Sequence, residues 1–240
     1  MASRGKLILI PSWLHEANSA AQFPGDTLKT THGLTYFIVE RAKTARHFLK
    51  RIAYPTPFDD THMLELDKHA LDDTDRLLQP CMEGHDTGLI SEAGVPGVAD
   101  PGGMLVDAAH RKGIQVVPLI GPSSILLALM ASGMNGQRFT FHGYLDRDER
   151  ILATQLKEME QDSRKNNTTH MFIETPYRND KLLSALLKHL AGSTRLCTAI
   201  DLTAPEQQIV NMSAEEWKRS KKSIGKKPAV FLLFSGELST

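Results

Sequence analysis

Two glycine- and proline-rich turns carry the residue types best suited to chemistry in this 240-residue chain. The first is Ser91-Glu92-Ala93-Gly94-Val95-Pro96-Gly97. Gly94 and Gly97 tolerate positive φ and let a ligand approach the main chain, whereas Pro96 fixes φ and removes an amide donor. Glu92 places a carboxylate in that turn. The second turn is Gly121-Pro122-Ser123-Ser124, whose serines either cap a helix or contact a ligand. Both turns suit the holding of a small molecule by the backbone. No Ser, His, Asp order and no activated cysteine points to a covalent protein nucleophile. The ten histidines lack the i, i+4 spacing of metal ligands, so no metal is expected.

The flanking patterns say what must position these turns. Thr87 to Ile90 is a short apolar run suited to a buried parallel strand that feeds the first turn. Leu105, Ala108 and Ala109 recur at helical spacing, and Gly113 stands where a helix-ending glycine is expected. A strand over 114–120 then feeds the second turn and a helix carrying Ile125, Leu126, Leu129 and Met130. Two such turns share one edge of a sheet, and in open α/β sheets ligands bind beyond the carboxyl ends of the strands.

Further strands are expected at 7–10, 36–39 and 62–66, with Ser12 or Asn18 opening a helix after the first of them. Helices are expected around Phe48, Leu49 and Ile52, and over 70–82. The second half reads as strands at 139–143, 169–174, 196–202, 208–211 and 229–234. They are separated by a polar helix over 146–163, a turn or loop at 164–167 and a helix bearing Leu182, Leu183, Leu186, Leu187 and Leu190. The fold class is therefore α/β with two α/β domains, at 1–119 and 120–240. The first would hold a five-stranded mostly parallel sheet and the second a mixed five-stranded sheet.

The string SEAGVPGVADPG, followed by VVPLIGPSS, resembles the signature of the tetrapyrrole methylase superfamily, the class III S-adenosylmethionine methyltransferases. The similarity is greatest to its ribosomal RNA branch, the small-subunit cytidine 2′-O-ribose methyltransferases, whose patterns read VSDAGTPLINDPG and VVPLPGP. The resemblance implies S-adenosylmethionine as cofactor, held in a cleft between the two domains. It implies cofactor contacts from Pro11, Ser91, Glu92, Ala93, Gly94, Val95, Pro96, Ser123, Ser124, Glu174 and Leu202. Glu92 stands for the family's aspartate, and Asp201, Leu202 and Thr203 fall in the segment that closes over the cofactor in relatives.

Glu40, Arg41, Lys43 and Arg178 are the substrate-side candidates that it implies, and no catalytic residue is assigned. The chain departs from the family in three places. IPSWLHE replaces VPTPIGN, ERAKT replaces AEDTR, and AIDLTAP replaces RELTK; FIETPYR and KKPAVFLLFSG keep closer to FYESTHR and KGEMVLIVEG. Small-subunit ribosomal RNA is the implied partner, with homodimerisation common among relatives. A tetrapyrrole or other small acceptor stays open as an alternative, as does a module that binds S-adenosylmethionine or S-adenosylhomocysteine without catalysis.

Composition sets bounds on these readings. Lys+Arg and Asp+Glu are each 28, so RNA binding needs a local patch rather than a global basic field. The strongest basic run, at 218–227, is either a solvated loop or a phosphate-contacting patch. Cys81 and Cys197 are isolated thiols of a reducing compartment. The opening apolar run is shorter than a signal-peptide core and no stretch has the length of a membrane span, which makes the cytoplasm the expected location.

Overall fold

The computed structural model describes residues 4–16, 20–66 and 73–237. They form two units, Met1–Ser123 and Ser124–Thr240. The division falls at the start of the helix after the second turn, a few residues beyond the 119/120 boundary expected from sequence.

The first unit holds β1 (Leu7–Ile10), α1 (Gly25–His32), β2 (Tyr36–Val39), α2 (Ala42–Arg51), β3 (His62–Glu65), α3 (Thr74–Met82), β4 (Thr87–Ile90), α4 (Gly102–Arg111) and β5 (Val116–Pro118). Its strands lie in the order β3-β2-β4-β1-β5, and every pairing is parallel. Period-two alternation assigns the side chains to two cores. Ile8, Ile10, Phe37, Val39 and Ile90 face α2 through Ala45, Phe48 and Leu49. Leu7, Ile38 and Leu89 face the opposite way, onto Leu77, Leu78 and Cys81 of α3 and Leu105, Ala108 and Ala109 of α4. Burial on both faces is what a parallel sheet requires. The chain leaves β1 toward β2 and leaves β4 toward β5, so the topological switch point lies between the neighbours β1 and β4.

The second unit holds α5 (Ser124–Ser132), β6 (Phe139–Tyr144), α6 (Glu149–Asn166), β7 (Thr169–Ile173), α7 (Asn179–His189), β8 (Arg195–Ile200), β9 (Gln208–Ser213), α8 (Ala214–Ser220) and β10 (Ala229–Phe234). Its order is β6-β7-β10-β8-β9, with β6 parallel to β7 and the other pairs antiparallel. Leu156, Leu186 and Trp217, one from each of α6, α7 and α8, pack on Phe172, Phe231 and Leu233. α5 lies against β8, β9 and β10.

Several elements differ from expectation. The region after β1 begins no helix at Ser12, which is buried and bridges to Gly94. Asn18 and the opening of the helix expected over 70–82 lie outside the described residues. α1 begins only at Gly25, and β5 covers three residues of the expected 114–120. Residues 164–166, read as a loop, complete α6, which stops where Asn167 adopts a left-handed φ of 58°. The first three residues of the basic run, Lys218, Arg219 and Ser220, end α8, which a capping box of Ser213 and Glu216 begins. No helix among the described residues is long and apolar enough to cross a membrane.

Candidate functional site

The carboxyl ends of β1, β4 and β5 meet at one rim of the first sheet. Beyond β4, the Ser91 hydroxyl donates to the Gly94 carbonyl at 3.0 Å, which folds the turn back on itself. The same carbonyl accepts the Ser12 amide at 2.8 Å, tying the β1 loop to the β4 loop. Gly94 (φ 73°) and Gly97 (φ 80°) occupy the left-handed region that glycine was expected to tolerate there. Asp100 Oδ1 then accepts the amides of Gly97 at 2.9 Å and Gly102 at 2.7 Å and so closes the loop at the start of α4.

The β5 loop packs against the same point. A Cβ on Gly121 would lie 2.4 Å from Pro11 Cβ, so only glycine fits beside that ring. The end of β2 joins from the other side, where Glu40 Oε1 accepts the Glu92 amide at 3.4 Å. A narrow cleft is lined here by Ser12, Trp13, Glu40, Arg41, Ser91 and Glu92, among others. Carboxylates and hydroxyls, with Arg41, supply its polarity; among the described residues the lining contains neither histidine nor cysteine. The Ser12 hydroxyl is buried and has no hydrogen-bond partner among the described residues. Such a rim is equipped to hold a ligand through main chain and carboxylates, and the buried thiols play no part in it. Burial raises the Cys81 pKa and pushes Cys197 up to about 12, which keeps both protonated.

Of the expected cofactor residues, Pro11 and Ser91 to Pro96 come together on this rim. Ser123 ends the first unit, and Ser124 begins α5. Lys43 is exposed in the first turn of α2, near Glu40 and Arg41 in sequence. Glu174, Arg178 and Leu202 belong to the second unit. Glu174 Oε1 accepts the Thr175 amide at 2.7 Å, and Oε2 accepts Arg178 Nε at 2.9 Å. Burial pushes the Glu174 carboxyl up, but the Thr175 amide and Arg178 together outweigh it and hold the pKa below the usual value.

Leu202 is buried between two residues with positive φ, Asp201 (50°) and Thr203 (71°). A β-branched residue in that region is strained, and such strain clusters at ligand clamps and switch segments. Sequence reasoning missed Ser12 as a bridge, Asp100 as the clasp and Gly121 as the contact to Pro11. Asp100-Pro101-Gly102 did offer a turn signal for the second of these.

Residues 35–218 match the tetrapyrrole (corrin/porphyrin) methylases. The chain is 34% identical over 140 residues to ribosomal RNA small subunit methyltransferase I of Vibrio cholerae, covering 58% of this chain and 47% of that protein. It is 27% identical over 212 residues to the protein of that name in Bacillus subtilis, covering 88% and 68%. It thus spans about half the length of several curated relatives that it matches. Among solved structures, uroporphyrin-III C-methyl transferase of Thermus thermophilus, complexed with S-adenyl homocysteine, superposes with a TM-score of 0.56 at 16% identity, covering 96% of this chain and 97% of that one. The matched span includes the first glycine-rich turn, the second turn and most of the second unit, and by it this chain belongs to the tetrapyrrole methylase family.

Proposed function

We propose that the chain is an S-adenosylmethionine-dependent methyltransferase that modifies a ribose 2′-hydroxyl of small-subunit ribosomal RNA. The observation that carries this reading is the convergence of three strand-end loops on the Ser12–Gly94 bridge at the switch point of the first sheet. The residues present fit such a cofactor: Glu40 and Glu92 offer carboxylates to a cationic ligand, glycines open the backbone, and the Ser12 hydroxyl lacks a partner among the described residues. When bound, S-adenosylmethionine supplies a methyl group already activated on a sulfonium.

The protein's part is to bind, exclude water and align. Pro11, Ser91 to Pro96, Ser123 and Ser124 would hold the cofactor, with Glu174 and Leu202 assigned to it by the family resemblance. Glu40, Arg41, Lys43 and Arg178 would face the acceptor. The hydroxyl must also lose its proton during attack, to a positioned base or to water.

RNA as acceptor is supported by the names of the ribosomal relatives. A ribosomal substrate in turn implies a cytoplasmic location. Exposed Leu126 and Met130 on α5 support a homodimer, which light scattering of the purified chain would detect. The test of function is transfer of labelled methyl to small ribosomal subunits from cells lacking the protein, with mass spectrometry of the ribose. One new 2′-O-methyl is expected. Transfer to a precorrin-type acceptor instead, or cofactor binding without transfer to either, would replace this reading with one of its alternatives.

A further inference from the structure

We infer that the carboxyl ends of β6 and β7 form a docking platform for an unpaired RNA strand, whose bases stack on Tyr177 and Tyr144 and whose phosphates lie against Arg147, Lys181 and Lys226. The inference rests on the RNA reading above and adds the surface that engages the strand. β6 and β7 run parallel, with Tyr144 aligned to Ile173, so both strands open at the same edge of the second sheet. Tyr144 is 61% exposed and Tyr177 81% exposed. Both rings give up burial that a tyrosine ordinarily gains from packing.

Tyr177 is held in place rather than left loose. It sits in a single 3-10 turn, Pro176–Arg178, closed by the Glu174–Arg178 ion pair. The Lys226 ammonium lies 5.5 Å from its ring centroid. The backbone around Lys226 is itself pinned to the start of α7. Asp180 Oδ1 accepts the amides of Ile224 at 2.7 Å and Gly225 at 3.2 Å, and Asn179 Nδ2 donates to the Lys227 carbonyl at 2.7 Å. The end of the basic run is therefore built structure that sets a cation beside an open aromatic face.

Between the β6 end and α7 runs a groove lined by Arg147, Arg178, Lys181 and Lys188, with Asp146 and Glu149 as its acids. Glu149 is engaged by Lys188 and His189, and Arg178 by Glu174, so Arg147 and Lys181 face a ligand with Asp146, among the described residues, as the one lining acid left to oppose them. Cations that track a backbone, combined with aromatic faces, are the equipment of single-strand binding. In a duplex the bases already stack on one another, so the tyrosines select the unpaired form.

The test is fluorescence anisotropy of a fluorescein-labelled single-stranded oligoadenylate with the full chain, across a salt series. Tyr177→Ala should weaken binding by roughly tenfold, while Tyr177→Phe, which keeps the ring, should bind nearly as the parent does. Arg147→Ala combined with Lys226→Ala should lower the salt slope by about 0.7 for each phosphate that is no longer neutralised. Calorimetry with S-adenosylhomocysteine on the same variants should give unchanged heats, which separates weakened docking from misfolding. Unaltered oligonucleotide affinity in both Tyr177→Ala and Tyr144→Ala would overturn the platform. Methyl transfer to small subunits is scored separately. If the parent transfers nothing yet shows tyrosine-dependent binding, the methyltransferase reading fails and the platform stands.

Discussion

The two units solve the same packing problem in different ways. In the first, every strand is parallel, helices cover both faces, and the positive-φ residues Gly94, Gly97 and Ala99 fall in one loop at the rim, while Ala53, Gly84 and Gly113 follow the ends of helices. In the second, polar groups are woven through the core. Glu160 is buried and accepts the Ala191 amide at 2.9 Å as well as the Thr194 hydroxyl; Ser235 in turn donates its amide to Ser163 Oγ at 2.8 Å. Site and core are thus separable in the first unit and intermingled in the second. A substitution at the first rim should change binding before stability, and the reverse should hold for most of the second unit.

The largest effect expected is in the second core. Phe231 is fully buried and stacks on Phe172 at 5.7 Å, so Phe231→Ala should cost about 3–5 kcal/mol in denaturant titration. A loss below about 1 kcal/mol would mean that this core is much looser than its burial suggests. In the first unit, Gly121→Ala drives a methyl into the rigid Pro11 ring. It should weaken S-adenosylhomocysteine binding by an order of magnitude or more while leaving most of the stability, about 1–3 kcal/mol being lost to overpacking. Equal binding by the variant would remove the β5 loop from the site.

Asp100→Ala should follow, because two amides lose their acceptor. About 1–3 kcal/mol is expected in thermal or chemical unfolding, most of it restored by Asp100→Asn, which keeps an acceptor oxygen.

Acid should separate the two units by a smaller margin. His142 and His170 of the second unit lie 2.8 Å apart, ring nitrogen to ring nitrogen. Burial lowers both pKa values; for His142 the neighbouring His170 adds to this, and Asp162 opposes it for both. With folded-state values below the ordinary 6.5, the unfolded chain binds more protons. The stability these groups contribute is therefore whole above about 6.5 and is lost as pH falls through the folded values. Melting of the parent should drop between pH 7.5 and 5.5 more than melting of a His142→Asn, His170→Asn double variant. Smallest of all, Asp107→Asn breaks only an exposed i, i+4 pair with Arg111 and should move stability by less than about 0.5 kcal/mol.

The same contrast explains what could be read from the sequence. The six residues Ala229–Phe234 are all buried, and continuous apolar runs of that kind announced β10, β4, β2 and β1 with their bounds. α1 could not be seen because it buries threonines. Thr27 donates to the Ile120 carbonyl at 2.7 Å and Thr31 to the Thr27 carbonyl at 2.8 Å, so no apolar stripe marks the helix. α8 was legible in principle from Ser213 and Glu216, but the lysines that follow drew attention to charge instead.

At the site, the glycine and proline turn told where the main chain bends. The partners of that bend, Ser12 and Gly121, come from distant loops, and only the strand order brings them together. Asp201 and Thr203 drew notice only through the family resemblance, since neither residue type takes positive φ as freely as glycine does.

The central claim is that the first rim holds the methyl donor, and calorimetric titration of the intact chain with S-adenosylmethionine and S-adenosylhomocysteine tests it most directly. The account predicts saturable heat at one site per chain, together with a loss of affinity in a Gly94→Val variant that still melts cooperatively. Folded parent protein that releases no heat with either ligand, or a variant that titrates as the parent does, would contradict it.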